Sequence, residues 1–418
     1  MPVPSTSASP ARPSDAAPST APVRSFSMRP LMFENFVCTL SMMSFVALIG
    51  PIARLLGLAP WQAGMAVTVG GLAWVLLARR WGAASDRWGR RPILLRGLGG
   101  FVVCYALLCS FIVFALRSRP PVWLAFAGLV LLRGMAGGFY AAVPATGAAL
   151  VADHVPGPQR AAAMATLGAA SGIGMVAGPG VTGLLVAHSL ELPLLITAVL
   201  PALALLVLWR WLPRSEQHAN PPTGPLKISD PRLRRPMAVA FCAMFSVTIA
   251  QVVVGFFALD RLQLDASAAA RAAGIALAVV GVGLILAQLA VRKLGWTPQR
   301  LIRAGCALSA LGFASLLLAS TPWALWAGYL LGAAGMGWVF PSVMALAANA
   351  VGAHEQGATA GTVAAAHGLG MILGPLVGTL VYDLHPGAPY LLVAVLLVLV
   401  ALWPARAPVS ALEVRRVG

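Results

Sequence analysis

The chain has 418 residues, of which 59% are hydrophobic and only 10% are charged. Its mean hydropathy of +0.85 is high, and its apolar content exceeds the roughly 45–50% that is usual in soluble domains. Composition therefore excludes an ordinary soluble protein and indicates a chain that folds in a lipid bilayer. The formal net charge of +17 does not indicate a nucleic-acid partner, because the basic residues are scattered over many turns and form no single stripe.

Residues 1–28 are rich in Pro, Ser, Ala and Thr and contain no apolar run. Such a segment cannot bury enough surface to fold, and it lacks the apolar core of a cleavable signal sequence. We expect a disordered cytoplasmic tail.

The rest of the chain divides into apolar stretches of membrane length, because a helix needs about 20 apolar residues to cross a bilayer. Twelve such stretches are nearly free of Asp, Glu, Lys and Arg. They run over 35–53, 58–78, 97–116, 122–144, 161–186, 192–211, 237–259, 272–291, 302–319, 323–347, 358–382 and 387–404. The sequence predicts an all-α polytopic membrane protein.

A segment with six prolines and a basic cluster follows the sixth span, over 213–236. It predicts a cytoplasmic linker between an N-terminal six-helix bundle, 29–212, and a C-terminal six-helix bundle, 237–405. Residues 406–418 form a second cytoplasmic tail in this interpretation.

The basic residues predict how the protein is oriented in the membrane. Most of the 29 lysines and arginines fall in turns on the same side as both termini. The exceptions are Arg54, Arg117, Arg119, Arg261 and Arg271 on the other side, and Arg133 inside the fourth span. Basic loops stay in the cytoplasm, so both termini are predicted to be cytoplasmic in a multi-pass protein of the cell inner membrane.

The turn between the second and third spans concentrates charge in a chain that has little of it. Its notable residues are Gly82, Asp86, Arg87, Gly89, Arg90 and Arg91. The glycines permit tight backbone geometry, and the arginines can pair with Asp86. This pattern predicts a charged latch at the cytoplasmic side, or only a basic anchor for the loop.

The fifth and eleventh spans carry similar patterns of small residues and proline. The fifth has Gly174, Gly178, Pro179 and Gly183, and the eleventh has Gly370, Gly374, Pro375 and Gly378. Glycines four residues apart share one helix face and let another helix approach closely, while proline favours a kink. These patterns belong to a longer internal repeat, in which 139–183 recurs as 338–379. Such repeats are common in transporters, whose substrate site lies near the membrane midplane between the halves.

These residues resemble the major facilitator superfamily. The turn from Gly82 to Arg91 matches that superfamily's signature between helices 2 and 3, and Arg133 with Gly137 is similar to its helix-4 motif. The glycines and proline of the fifth span resemble the antiporter motif of its drug-and-proton exporters, including tetracycline efflux proteins. The resemblance covers residues 31–404.

The resemblance implies a twelve-helix fold in two pseudo-symmetric bundles. It also implies that Asp86 and Arg90 hold the halves in one access state, and that the glycine seam goes with export. The chain departs from the pattern at Thr182 and Thr379, which replace motif glycines. It departs again at Met42, where tetracycline exporters have an aspartate.

Ionisable groups inside spans are costly and therefore functional candidates. Four residues qualify for proton coupling: Arg133, His367, Glu34 and Asp260. Arg133 could bind an anionic substrate group, act on a proton-carrying partner, or be capped by backbone carbonyls. His367 titrates near neutral pH or is simply hydrogen-bonded. Glu34 opens the first span and Asp260 closes the seventh.

Polar and aromatic residues inside apolar spans are candidates for cargo contacts, or else they join helices. They are Asn35, Tyr140, Gln251, Gln288, Trp338 and Asn349. We expect a neutral or weakly anionic small molecule as cargo, such as a siderophore or an amphiphilic antibiotic. The chain has no phosphate-binding loop for ATP, so protons are the expected driving ion.

The leading interpretation is a proton-coupled exporter that acts as a monomer. An importer or facilitator of the same fold is the alternative, and a membrane enzyme or sensor is a third. The five cysteines stand singly in or beside apolar spans and no metal-ligand spacing occurs, so we expect neither a metal nor a cofactor.

Overall fold

The computed structural model describes residues 26–155, 157–212, 230–351 and 356–403, which form helices joined by short turns. The predicted segments 1–28, 213–236 and 406–418 lie wholly or largely outside these residues. The helices of the first half are α1 Arg29–Leu55, α2 Pro60–Trp88, α3 Arg90–Ser118, α4 Val122–Tyr140, α5 Ala142–His154, α6 Gly157–Leu185 and α7 Leu192–Trp211. Those of the second half are α8 Arg234–Asp260, α9 Ala266–Leu294, α10 Pro298–Ser315, α11 Pro322–Ala348, α12 Gln356–Tyr382 and α13 Ala388–Leu402.

Eleven described segments are long and apolar enough to cross a bilayer, with α4 and α5 together forming one of them, Val122–His154. The twelfth, α13, is a shorter apolar helix. The all-α polytopic membrane fold predicted from composition is therefore confirmed.

Several helices extend beyond the predicted spans, and two of these differences change the position of residues discussed below. The fourth span was predicted to end at 144, but it continues to His154 after a break at Ala141. Pro144 explains the break, because it lacks the N–H that the Tyr140 carbonyl would accept in a continuous helix. The first span begins at Arg29 rather than 35, with a proline in its first turn. Glu34 therefore lies inside α1 and does not open it.

Helix pairing follows a two-fold pattern. In the first half α1 packs against α6 and α7, and in the second half α8 packs against α12 and α13. Across the halves, α2 meets α12 and α6 meets α9. Each pair joins the second span of one half to the fifth span of the other, as expected for two pseudo-symmetric bundles.

The first spans of the two halves, α1 and α8, have the largest buried share among the membrane-length segments described. Their side chains form much of the core, including Phe45, Ile49, Phe256 and Phe257. Because α1 is central, polar residues on it are enclosed by protein. The end of the bundle that carries Arg54 and Asp260 is named the Arg54 end, and the opposite end is named the Asp86 end.

Candidate functional site

A buried acidic cluster lies in the first part of α1. The Glu34 side chain is fully buried. Asn35 donates a hydrogen bond from Nδ2 to Glu34 Oε2, over 3.0 Å, and its Oδ1 accepts one from Ser171 Oγ of α6, over 3.1 Å. Glu34 Oε1 has no partner at hydrogen-bond geometry among the described residues, and the Cys38 thiol, one turn along α1, lies beside the same carboxyl. Tyr140, at the end of α4, lies close to the same carboxyl. The structure thus brings together three residues, Glu34, Asn35 and Tyr140, that were predicted separately.

Arg133 of α4 lies in the same half, next to Phe45, which is further along α1 than Glu34. It is 4% exposed, and its guanidinium carbon lies 5.0 Å from the centre of the Phe45 ring on α1. Gly70 of α2 packs against its stem. Nε and Nη1 have no hydrogen-bond partner among the described residues. These atoms are therefore not capped by backbone carbonyls, which was one of the predicted alternatives.

The other two ionisable candidates, His367 and Asp260, lie on helices of the second half. His367 is partly buried on α12, where its ring meets the Phe340 ring edge-on at 5.6 Å and Nε2 has no described partner. Asp260, the last residue of α8, forms an ion pair with Arg54. It also accepts a hydrogen bond from the Tyr382 hydroxyl at 3.0 Å. Asp260 is thus a contact between the halves at the Arg54 end.

The remaining cargo candidates do not converge on one site. Trp338 donates its indole N–H to the Ala287 carbonyl at 3.1 Å and so joins α11 to α9. Asn349 is exposed and is the C-cap of α11. Gln251 is partly buried on α8, and Gln288 is exposed on α9. Cargo contacts by these four remain predictions.

The charged turn at the Asp86 end is organised by Arg90. Its Nη1 bonds Asp86 and also donates to Ser85 Oγ at 2.8 Å, and its Nε donates to Asp153 Oδ2 at 2.9 Å. Gly89 has a φ of +89°, a backbone conformation that residues other than glycine rarely adopt. Gly89 thus lets α3 start directly after α2, which places Arg90 between two acids.

The flanking residues of this turn have other roles. Arg91 donates to the Trp209 carbonyl of α7 at 2.7 Å. The Gly82 carbonyl accepts from Ser85 Oγ at 2.8 Å, and Arg87 is exposed. Sequence reasoning missed Asp153, because no local motif links this residue to Arg90, which is 63 positions away in the chain.

The glycine patterns form two equivalent seams. In the first half, a Cβ at Gly174 would overlap the Phe36 carbonyl of α1, and one at Gly178 would overlap the Leu40 carbonyl. In the second half, the corresponding neighbours on α8 are the Phe241 carbonyl for Gly370 and the Phe245 carbonyl for Gly374. Gly378 packs against Ile249 of α8. Pro179 and Pro375 lie inside their helices directly after the second glycine of each pair.

Close contacts between the halves cluster at the Arg54 end. Gly50 of α1 lies against Gly255 of α8, and Gly183 of α6 lies against Gly274 of α9. Gly64 of α2 lies against Thr379 of α12, one of the two residues that replace a motif glycine. One turn along α2, Thr68 donates a hydrogen bond to the Ile372 carbonyl at 2.8 Å. The backbones are close enough here to exclude solvent.

Sequence reasoning did not pair Arg54 with Asp260. The signal was present, because the first span of each predicted six-helix bundle ends in a charge, and the two charges are opposite. A further cavity of about 710 Å³ lies between α2 and α4, and apolar residues such as Leu77, Val130 and Leu131 line it. None of the predicted site residues line this cavity.

Comparison with known proteins agrees with this architecture. Residues 31–375 and 305–415 match the Major Facilitator Superfamily. The chain belongs to that family. It is therefore a multi-pass membrane transporter that handles small molecules, and not an enzyme.

Among the superfamily's members, the chain is similar to tetracycline resistance proteins. It is 33% identical to the class C protein of Escherichia coli over 318 residues. This aligned region covers 72% of this chain and 75% of the relative. It is 30% identical over 342 residues to the class G protein of Vibrio anguillarum, covering 78% and 81%.

Solved structures of other transporters share this fold. The human organic anion transporter MFSD10 (TETRAN) matches with a TM-score of 0.62 at 20% identity, over 90% of this chain and 97% of that one. A bacterial homolog of the human lysosomal transporter Spinster, inward-facing and unoccupied, matches with a TM-score of 0.69 at 15% identity, over 91% and 96%.

Proposed function

We propose that the protein exports small amphiphilic organic molecules across the inner membrane by proton antiport with alternating access. The observation that carries the proposal is the match to proteins named for tetracycline resistance, which extends over about three quarters of both chains. This similarity supports a drug-like cargo over a siderophore. We further propose that the protein works as a monomer with both termini in the cytoplasm.

Alternating access is supported by the uneven contact between the halves. At the Arg54 end the halves meet through close glycine contacts and through the ion pair of Arg54 with Asp260. At the Asp86 end, the described ion pairs of Asp86 and Asp153 are with Arg90 of their own half. If the Asp86 end is cytoplasmic, as the basic loops predict, this arrangement is closed toward the outside.

Among the four proton-coupling candidates, Glu34 fits the role best. It is fully buried and has no cationic partner among the described residues. Asp260 already pairs with Arg54, and an arginine does not release its proton in proteins. His367 could relay a proton, but it lies on α12 in the other half. Glu34 would exchange its proton when rocking of the halves lets water reach α1.

Glu34 also substitutes for the aspartate that the family resemblance expects at Met42. The two positions are eight residues apart on α1, or about 12 Å along a helix. Asn35 and Ser171 hold one carboxyl oxygen of this cluster in place. Glu34 would therefore carry the coupled proton in place of that aspartate, but from a position two helical turns closer to the Asp86 end.

Inside-out membrane vesicles test this proposal. A proton gradient is formed, its size is followed with a pH-sensitive dye, and a panel of amphiphilic antibiotics including tetracycline is added. We expect at least one compound to dissipate the gradient with wild-type protein but not with Glu34→Gln. Glu34→Asp is the matched control and should retain part of the activity.

A second readout separates coupling from binding. Cargo exchange without net proton movement should persist in Glu34→Gln, because the exchange needs no release of the proton. Equal gradient dissipation by wild type and Glu34→Gln would exclude Glu34 as the carrier. If no compound acts on the wild-type gradient, proton-coupled export of this class is wrong.

A further inference from the structure

The guanidinium of Arg133 is buried within a membrane span and forms no ion pair with the described acids. It is 4% exposed, and Nε and Nη1 find no partner in the described part of the chain. An arginine at the centre of a span costs about 2.5–3.5 kcal/mol on insertion scales. A buried cation that keeps unused N–H donors is a site that an anion would complete.

The described acids do not supply that anion. Glu34 lies on α1 eleven residues before Phe45, whose ring is next to the Arg133 guanidinium; this separation is about 16 Å along a helix. Asp86 and Asp153 pair with Arg90, and Asp260 pairs with Arg54. Each of these acids is therefore too distant or already paired.

The neutral groups around Arg133 do not replace a counter-ion either. The face of the Phe45 ring attracts the guanidinium but accepts no ordinary hydrogen bond. Tyr105 and Cys109 of α3 are nearby, but neither is a hydrogen-bond partner of Nε or Nη1 in the described residues. What remains is a compact cationic site enclosed by α1, α2, α3 and α4, with N–H donors available.

We propose that Arg133 binds a monovalent anion inside the first half. The anion is either the acidic group of an organic cargo or a small inorganic ion such as chloride. The first source rests on the proposed transport function and narrows its substrates to organic acids, whereas the second does not depend on it. In both cases the guanidinium binds the anion, and for an organic acid the Phe45 ring would pack against the adjoining apolar group.

Met42 provides a direct test, because it lies three residues before Phe45 on the same face of α1. A carboxylate placed there by Met42→Asp would supply the missing charge from within the protein. Met42→Asn has nearly the same shape without the charge and is the matched control. Neither variant changes Arg133 itself, so both avoid the folding loss that Arg133→Gln could cause.

The experiment measures thermal unfolding of the purified full-length protein in detergent at constant ionic strength. Sodium gluconate serves as the bulky reference salt. The added probes are chloride for the inorganic source, and 1-naphthoate with its neutral isostere 1-naphthamide for the organic source. We expect an anion to raise the melting temperature of wild type and Met42→Asn by about 2 °C or more. Met42→Asp should not respond.

Each outcome is decisive. A response to chloride identifies a small-anion site, and a response to 1-naphthoate but not to 1-naphthamide or chloride identifies an organic-acid site. The proposal is overturned if neither anion stabilises wild type, or if Met42→Asp responds as Met42→Asn does. Because this readout needs no transport, failure of the vesicle assay would leave it interpretable.

Discussion

Arg54 and Asp260 form an ion pair that joins the last turn of α1 to the last residue of α8. Their side chains are 43% and 29% exposed, so water screens the pair. Exposed pairs typically contribute about 0.2–1 kcal/mol. We expect Asp260→Asn to weaken closure of the Arg54 end, changing the ratio of open to closed molecules by up to about fivefold.

Spin labels at Leu55 and Leu384, which are exposed at this end in opposite halves, would report the ratio as a distance distribution. The measurement needs a background in which the native cysteines have been replaced. The charge-swapped double variant, Arg54→Asp with Asp260→Arg, should restore the closed population. An unchanged distribution in Asp260→Asn would show that the pair does not contribute to closure.

Arg90 should be the most sensitive charged residue of the Asp86 end for stability. Its side chain and that of Asp153 are 8% and 5% exposed. Removing one partner of a buried pair typically costs about 3–5 kcal/mol, because the other charge is left uncompensated. We expect Arg90→Gln to lower the melting temperature of the purified protein strongly.

Arg96→Gln is the control for this prediction, since Arg96 is an exposed arginine on the same helix. It should change the stability by about 0.5 kcal/mol or less. Adding Asp153→Asn to Arg90→Gln should recover much of the loss by removing the stranded charge. If the double variant is no more stable than Arg90→Gln, the loss does not come from the uncompensated Asp153.

Asp86 should affect transport more than stability. Its side chain is 60% exposed although it pairs with Arg90, so neutralising it removes little buried interaction. If the turn is a latch between access states, Asp86→Asn should lower the transport rate in vesicles about tenfold while membrane insertion and melting temperature stay near wild type. Full transport by this variant would exclude the latch.

The hydrophobic pattern was sufficient to predict the apolar spans, because the bilayer imposes a length on every span; it did not predict that the fourth span is broken into α4 and α5. It could not predict the boundaries that depend on polar residues. Glu34 was predicted to lie at the start of the first span because it is charged, yet α1 begins five residues earlier, at Arg29. Burial of Glu34 depends on its neighbours α4 and α6, which no local pattern encodes.

Contacts between residues far apart in the chain could likewise not be predicted from local patterns. Arg90 and Asp86 are close along the chain and could be paired by inspection, whereas Asp153 is 63 positions away from Arg90. The glycine seams were predicted as close contacts, but not that α1 and α8 are the helices they meet. Such contacts follow from the arrangement of all the spans together.

Asp265 is predicted to stabilise the start of α9 in a pH-dependent way. Its carboxylate accepts from the Ser267 hydroxyl at 2.7 Å and from the Ser267 and Ala268 backbone N–H groups. These bonds hold the pKa of Asp265 below its ordinary value of 3.8. The stabilisation should therefore be complete above that value and be lost as the pH falls through the lowered pKa.

The difference in melting temperature between wild type and Asp265→Ala should thus be largest near pH 7 and shrink below pH of about 3.8. Asp383 provides a control of opposite sign, because desolvation raises the pKa of this carboxyl, with Arg54 partly opposing the effect. Asp383→Asn should be neutral or slightly stabilising at pH 7. A pH-independent difference for Asp265→Ala would mean that the charged cap is not responsible.

The two glycine seams lead to a paired prediction. A methyl group at Gly178 would overlap the Leu40 carbonyl, whereas one at Gly172 on the same helix would meet nothing within 4 Å. Overpacking a tight contact typically costs about 1–3 kcal/mol, and replacing an unconstrained helical glycine by alanine gains up to about 1 kcal/mol. Gly178→Ala should therefore unfold at lower temperature and Gly172→Ala should not.

The second half offers the same comparison with different residues. Gly374 is packed against Thr248 and the Phe245 carbonyl of α8, and Gly361 on the same helix has open space around it. If the seams are structurally equivalent, Gly374→Ala and Gly361→Ala should reproduce the contrast between Gly178→Ala and Gly172→Ala. Because the affected helix pairs, α1 with α6 and α8 with α12, lie in separate halves, the losses from Gly178→Ala and Gly374→Ala should also add in the double variant. Strong non-additivity in thermal unfolding would instead mean that the two seams are coupled through the contacts between the halves.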